Sequence, residues 1–256
     1  MNILEKIVAS TKVRVNKEKE AGLPPERSDR RQPFIFEKSL RRHDIAFICE
    51  VKRASPSKGV IAEDFPFTDI ARQYEAAGAA AISVLTEPEF FRGSYHHFTE
   101  IRKAVDIPLL RKDFIIDEFQ IEQSLRMGAD AILLICAILT PKKLAQFIEE
   151  ADTSGMSCLV EVHDESELKT ALDAGARVIG VNNRDLRTFE VNMGNSIRLR
   201  RFTPEGIVFV SESGVQTRED IEILRKNGVD AVLVGEVLMR SADKKAALAA
   251  LRGVTE

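Results

Sequence analysis

Four stretches of the chain repeat one pattern of apolar and polar positions. YEAAGAAAISVLTE from Tyr74, LRMGADAILLIC from Leu125, ALDAGARVIGVNN from Ala171 and LRKNGVDAVLVGE from Leu224 share it. Each runs through the last turn of an amphipathic helix, a glycine, one or two small or acidic residues, and then an unbroken apolar run. Glycine can take the left-handed conformation that ends a helix. A short run of Val, Ile, Leu and Ala is what a strand shows when both of its faces are covered. Further strands are predicted at 46–52, 108–114, 158–163 and 207–214, which brings the total to eight. Between them stand helix-start signals: Thr68-Asp69, Asp117, Thr140-Pro141, Asp164, Thr217 and Asp243 each precede an amphipathic stretch. Shorter helices are expected at 96–105 and 195–202.

Eight strand–helix units in succession predict an α/β fold, a (β/α)8 TIM barrel over residues 46–256. A doubly wound open sheet is the alternative, but it needs neither eight units nor this regularity. Residues 1–45 precede the first strand as an N-terminal helical extension, so residues 1–256 are expected to form a single TIM-barrel domain. Within the extension, apolar Ile3, Leu4, Ile7, Val8 and Val13 predict an amphipathic helix over 3–20. A linker with Pro24-Pro25 follows, and a second helix is expected over 34–42. No further domain is expected after Glu256.

Composition narrows the function. A chain that is 44% hydrophobic and 30% charged has ample core, and a net charge of −3 argues against a nucleic-acid partner. Lys38-Ser-Leu-Arg-Arg-His43 is a local basic run without interleaved aromatics, so it is read as a solvated face or a patch steering an anionic substrate. No apolar run approaches the length of a membrane span, and Glu5 and Lys6 break any signal-peptide pattern at the N-terminus. Cys49, Cys136 and Cys158 lie in separate apolar runs with no CxxC pair, as expected of buried reduced thiols in a cytoplasmic protein.

Candidate chemistry emerges from strand parity, since alternate residues of a strand share a face. Glu50 and Lys52 end strand one, and Leu110, Lys112 and Phe114 share a face of strand three. Glu161 and His163 end strand five, Gly180, Asn182 and Arg184 align on strand six, and Glu212 ends strand seven. Burying so many charges is costly unless they pair or serve chemistry, and in a barrel the C-terminal strand ends hold the active site. The turn Ser213-Gly214 after strand seven and Gly235-Glu236 after strand eight put glycine where backbone N–H groups can approach a phosphate. The expected ligand is therefore a small phosphorylated metabolite. His96, His97 and Glu100 offer only one pair at helical spacing, too little for a metal centre. His163 followed by Asp164 reads as a strand end and a helix cap. Phe90-Phe91 reads as an exposed loop wall over the site.

At these residues the chain resembles indole-3-glycerol phosphate synthase. The motifs are EVKRASPSKG (50–59), ISVLTEPEFFRGS (82–94), LLRKDFIID (109–117), GADAILLI (128–135), LVEVHD (159–164), GVNNRDL (180–186), SESGV (211–215) and VGEVLMR (234–240). The resemblance implies closure of an indole ring on 1-(2-carboxyphenylamino)-1-deoxyribulose 5-phosphate, with loss of carbon dioxide and water and without cofactor or metal. It implies Lys112 as general acid, Glu161 as general base, and Lys52 at the substrate carboxylate, with Glu50, Asn182 and Glu212 holding the lysines and the substrate hydroxyls. Ser55 and Arg184 would lie near the anthranilate ring, and Phe91, Phe114, Leu133 and Leu186 would form apolar walls. Ser213, Gly214, Gly235 and Glu236 would receive the phosphate. The family often carries Ser where this chain has Glu236, which leaves the backbone N–H as that residue's contribution. The expected partner is this small anthranilate-derived substrate, with no nucleic acid and no membrane, acting on a monomer or weak homo-oligomer. From the residues alone, a Schiff-base aldolase using Lys52 or Lys112 and a non-catalytic metabolite-binding barrel stay open as rivals, as does the division of labour between the two lysines.

Overall fold

The computed structural model describes residues 2–26, 32–185 and 188–253. Eight parallel strands close into a barrel in chain order: β1 Ala46–Val51, β2 Ala81–Leu85, β3 Leu109–Lys112, β4 Ala131–Ile135, β5 Ser157–Val162, β6 Val178–Asn182, β7 Val208–Glu212 and β8 Ala231–Val234. Around them run α3 Phe67–Ala76, α4 Tyr95–Ala104, α5 Glu118–Met127, α6 Pro141–Thr153, α7 Glu165–Asp173, α8 Gly194–Arg200, α9 Arg218–Lys226, the short α10 Glu236–Arg240 and α11 Lys244–Arg252, preceded by α1 Ile3–Ala21 and α2 Ile35–Leu40. A two-residue hairpin, Ala54–Ser55 with Gly59–Val60, stands in the loop after β1.

The repeated phrases are the helix-to-strand joints. Gly78, Gly128, Gly175 and Gly228 all have φ between 74° and 88°, the left-handed geometry that turns the chain from a helix into the next strand. Asp117, Thr140, Asp164, Thr217 and Asp243 each accept a backbone N–H at a helix start, and Ser94 does the same for α4. Thr68 does not. Helix α3 starts one residue earlier, at Phe67, with Pro66 in the cap position and no side-chain cap. The fixed φ of proline enters the helix directly, which leaves Thr68 and Asp69 inside the first turn.

The strands bury both faces. Outward residues such as Phe47, Ile82, Ile132 and Phe209 pack under the helices, and inward residues such as Ile48, Leu110, Leu159 and Val210 fill the barrel. The extension divides between the two ends. Helix α2 closes the floor: Phe36 and Leu40 are fully buried against Ala46, Ala80, Ala81, Ala131 and Val178, at the strand starts. The basic run of 38–43 goes with it. Lys38 donates to the Pro33 carbonyl and Arg41 to that of Gly206, so this run serves the floor and steers nothing into the opposite mouth.

Helix α1 lies at the mouth, with Ile3, Leu4 and Ile7 of its predicted apolar face turned inward and Val13 of that face turned out. Val13 is 57% exposed, while Ile7, Thr11 and Val15 are buried. The polar side docks the helix further along. Arg14 forms a forked pair with Asp113 at 2.7 and 3.1 Å and donates to the Tyr95 hydroxyl at 2.7 Å, and that hydroxyl donates to Glu18. Lys19 reaches Asp117 at 2.7 Å. Such bidentate, charge-assisted contacts fix orientation as well as position.

Candidate active site

Inward side chains of alternate barrel strands form layers of four. Here the topmost layer contributed by β1, β3, β5 and β7 is Glu50, Lys112, Glu161 and Glu212: three acids and one lysine. All three acids are no more than 4% exposed. The neighbouring layer from the even strands includes Leu133, Gly180 and Leu233. Gly180 is there for space, because a Cβ at that position would collide with a carboxylate oxygen of Glu212.

Lys112 Nζ lies 3.1 Å from Glu212 and 3.5 Å from Glu161. Glu50 pairs with Lys52, one step further up β1. Asn182 donates to Glu161 Oε1 at 3.3 Å. Burial opposes the charge on Lys112, yet Glu212, Glu161 and Glu50 outweigh it and hold the ammonium well above the usual lysine range. Burial likewise works to raise Glu50, but Lys52 and Lys112 keep it below the ordinary carboxylate range. Glu212 is pushed up to about 7, by burial first and then by the nearby Glu161, against the pull of Lys112. The layer thus presents a fixed cation, a fixed anion and one carboxyl that changes charge near neutral pH.

These groups form the base of a cavity of about 770 Å³. Its walls include every candidate site residue within the described part of the chain; Leu186 lies outside the described residues. Phe91 and Phe114 face each other across 6.0 Å, with Leu133 below them and Ile3, Leu4 and Ile7 of α1 at the rim. Ser55 reaches the cavity from the hairpin after β1, and Arg184 from the end of β6. On the far side the turns after β7 and β8 bring in Ser213, Gly214, Gly235 and Glu236. Ser213 and Gly214 have φ of 65° and 103°, a pair of left-handed residues that turns the backbone toward the cavity. Glu236 opens α10, and Arg240 donates to its carboxylate at 3.2 Å while Lys58 stands at 3.7 Å. The acid is therefore balanced by two cations at the cavity edge.

Three supports were not legible beforehand. Asn183, beside the candidate Asn182, donates to the Ser213 carbonyl and accepts from Ser196, so it fixes the turn after β7. Glu87, 1% exposed, accepts the N–H groups of Glu89, Phe90 and Phe91 and so sets the loop that presents Phe91. Arg111, fully buried between the barrel and α4–α5, bonds Tyr95, Asp113, Gln120 and Ser124 directly beside Lys112. Only the buried charge within an apolar run hinted at Arg111 and Asp113, and strand parity placed both on the outer face.

Removing α1 separates roof from floor. Deleting residues 2–22 should leave a folded barrel and raise KM roughly tenfold, about 1.4 kcal/mol of lost substrate contact. Deleting residues 2–43 also removes Phe36 and Leu40 and uncovers the apolar floor they cover, a loss of about 1.5–3 kcal/mol for each side chain, and should yield no cooperative thermal transition. Steady-state kinetics and calorimetry on the two truncations check this; an unfolded short truncation would make α1 structural as well.

Comparison with known proteins places this geometry. The family model described as indole-3-glycerol phosphate synthase matches residues 4–251. A curated relative of that name from Ruminiclostridium cellulolyticum is 56% identical over 257 residues, covering 98% of this chain and 99% of the relative. A second of that name, from Endomicrobium trichonymphae, is 56% identical over 94% of this chain and 96% of the relative. Among solved structures, 3-hexulose-6-phosphate synthase from Salmonella typhimurium superimposes with a TM-score of 0.67 at 14% identity, over 82% of this chain and 98% of that one, a likeness of fold.

Proposed function

The chain belongs to the indole-3-glycerol phosphate synthase family, and from that premise we propose how the residues at this barrel mouth divide the reaction. The enzyme closes an indole ring on 1-(2-carboxyphenylamino)-1-deoxyribulose 5-phosphate and releases carbon dioxide and water. Lys112 donates a proton to the ketone oxygen as the ring carbon bearing the carboxylate attacks the carbonyl carbon. Lys52 meets the carboxylate that then leaves as carbon dioxide. Glu161 takes the ring proton as the hydroxyl group departs, and a lysine ammonium at the cavity base gives that hydroxyl the proton with which it leaves as water. Glu50, Glu212 and Asn182 hold these groups and the substrate hydroxyls. The anthranilate ring lies between Phe91 and Phe114 over Leu133, within reach of Ser55 and Arg184. The phosphate sits on the backbone of Ser213, Gly214, Gly235 and Glu236.

The observation that carries this reading is the single ammonium of Lys112 between Glu161 and Glu212 at the base of an apolar slot. Ring closure needs a proton donor aimed at a developing oxyanion, and dehydration needs a base in the same place. One buried layer supplies both.

The phosphate end is tested by two substitutions in a spectroscopic assay of indole formation. Glu236→Ser should change KM by less than about twofold, because the side chain is already engaged by Arg240 and only its N–H is used. Gly235→Val should raise KM about tenfold or more by blocking the approach to the backbone. It should also lower kcat, since a Cβ there would meet Glu50 Oε1 at 2.5 Å and Lys52 Nζ at 3.2 Å. If Gly235→Val binds product as the wild type does, the phosphate does not sit after β8.

A further inference from the structure

We propose that His163 is a positioning residue for Glu161, its imidazole ring fixing the carboxylate from the side of the barrel that the substrate does not occupy. This rests on the reading of Glu161 as the base. Glu161 Oε1 is 3.5 Å from His163 Nε2, a buried nitrogen that has no hydrogen-bond partner. The ring is itself anchored. Its Nδ1 lies 3.1 Å from Glu167 Oε2, and the same oxygen accepts the backbone N–H of His163 at 2.8 Å. Asn195 of α8 donates to the His163 carbonyl at 2.9 Å. Glu161 is thus held on three sides, by Lys112 at one oxygen and by Asn182 and His163 at the other.

The ring does not line the substrate cavity. It lines a second, polar cavity of about 800 Å³ that shares Asn182 and Arg184 with the first. His163 can therefore exchange protons with solvent while substrate fills the active site. The charged groups around it are Glu161 of β5, Asp164 and Glu167 at the start of α7, Glu212 of β7, and Arg184, Asp185, Glu190 and Arg198 lining the second cavity. Burial works against protonation, but the bond to Glu167 and the charges of Glu161, Glu167 and Glu212 raise the ring to about 9. Below that pH both ring nitrogens carry protons, and the imidazolium sets its charge 3.5 Å from Glu161 Oε1, keeping the carboxylate oriented. Above it the remaining proton stays on Nδ1 with Glu167, and Nε2 turns a lone pair toward the carboxylate.

The test compares His163→Leu and His163→Gln in the same indole assay across pH. The leucine variant should lose roughly tenfold in kcat with KM within twofold, and the glutamine variant, which keeps a donor, should recover part of that loss. In both, the fall of kcat above about pH 9 assigned to His163 should vanish. A kcat for His163→Leu within twofold of wild type, or a surviving alkaline fall, overturns the proposal. If the leucine variant fails to fold, Glu167→Gln takes its place: it frees the ring while keeping an acceptor for the backbone, and it must shift the alkaline fall to lower pH. Glu161→Gln separates the two readings. If it retains activity, Glu161 is not the base; if it is inactive while the histidine variants are normal, only the positioning role is lost.

Discussion

Replacing Lys112 by methionine should lower kcat by about 10²-fold or more while product binding stays near that of the wild type. Methionine keeps the length and the apolar stem of lysine and removes the proton and the charge. An ammonium held so far above its ordinary range is a weak acid toward water, but the oxygen it serves becomes an alkoxide as the ring closes, and an alkoxide is a strong base. The three carboxylates that raise Lys112 also keep it charged and aimed, so its proton is present at every working pH and moves only when that oxygen develops charge. The same substitution should alter stability in a pH-dependent way. Without Lys112, Glu212, already raised to about 7 by burial and by Glu161, loses the cation that pulls it down, so its folded pKa moves further above the unfolded one. Such groups favour the fold at low pH and disfavour it as pH climbs through the unfolded value toward the folded one. The deficit in Tm relative to wild type should therefore be larger at pH 8 than at pH 5. A near-normal kcat would return the acid role to Lys52; an equal Tm deficit at both pH values would mean the carboxylates find other partners.

The barrel was legible because its signals are local and repeated. A glycine in left-handed geometry, a polar cap and a continuous apolar run recur at one joint after another, and each is decided by a few neighbouring residues. Parity then carried the catalytic layer, since a residue two steps from a buried leucine on a strand faces the same way: Leu110 predicts Lys112, and Leu159 predicts Glu161. Where contacts are made at long range, the sequence was silent or misleading. Val13 fits the apolar stripe of α1, but the helix docks through Arg14 onto Asp113, a partner 99 residues away. The basic run of 38–43 left open a solvated face or a substrate-steering patch; the buried Phe36 and Leu40 carry it to the floor, where residues 41–43 are exposed. His163 reads correctly as the residue before a cap, and parity sets it on the face of Glu161, but nothing in the chain announces that Glu167 anchors its ring there.

Glu161→Gln should split the reaction at its middle. In the proposed division of roles, ring closure and decarboxylation depend on Lys112 and Lys52, both of which remain. The final dehydration needs a base to remove the ring proton as the hydroxyl departs, and an amide cannot accept it. The variant should release carbon dioxide while forming indole at least about 10²-fold more slowly than wild type. Neighbouring carboxylates do not replace Glu161. Glu50 is committed to Lys52, and Glu212, raised to about 7, is partly protonated at neutral pH and paired with Lys112. Glutamine can still accept from Asn182 or Lys112 through its oxygen, so the layer should keep its shape and KM should hold within a few-fold. Rapid quench with separate measurement of carbon dioxide and of indole absorbance decides the matter. Equal slowing of both would place Glu161 in ring closure, and unchanged rates of both would remove it from the chemistry.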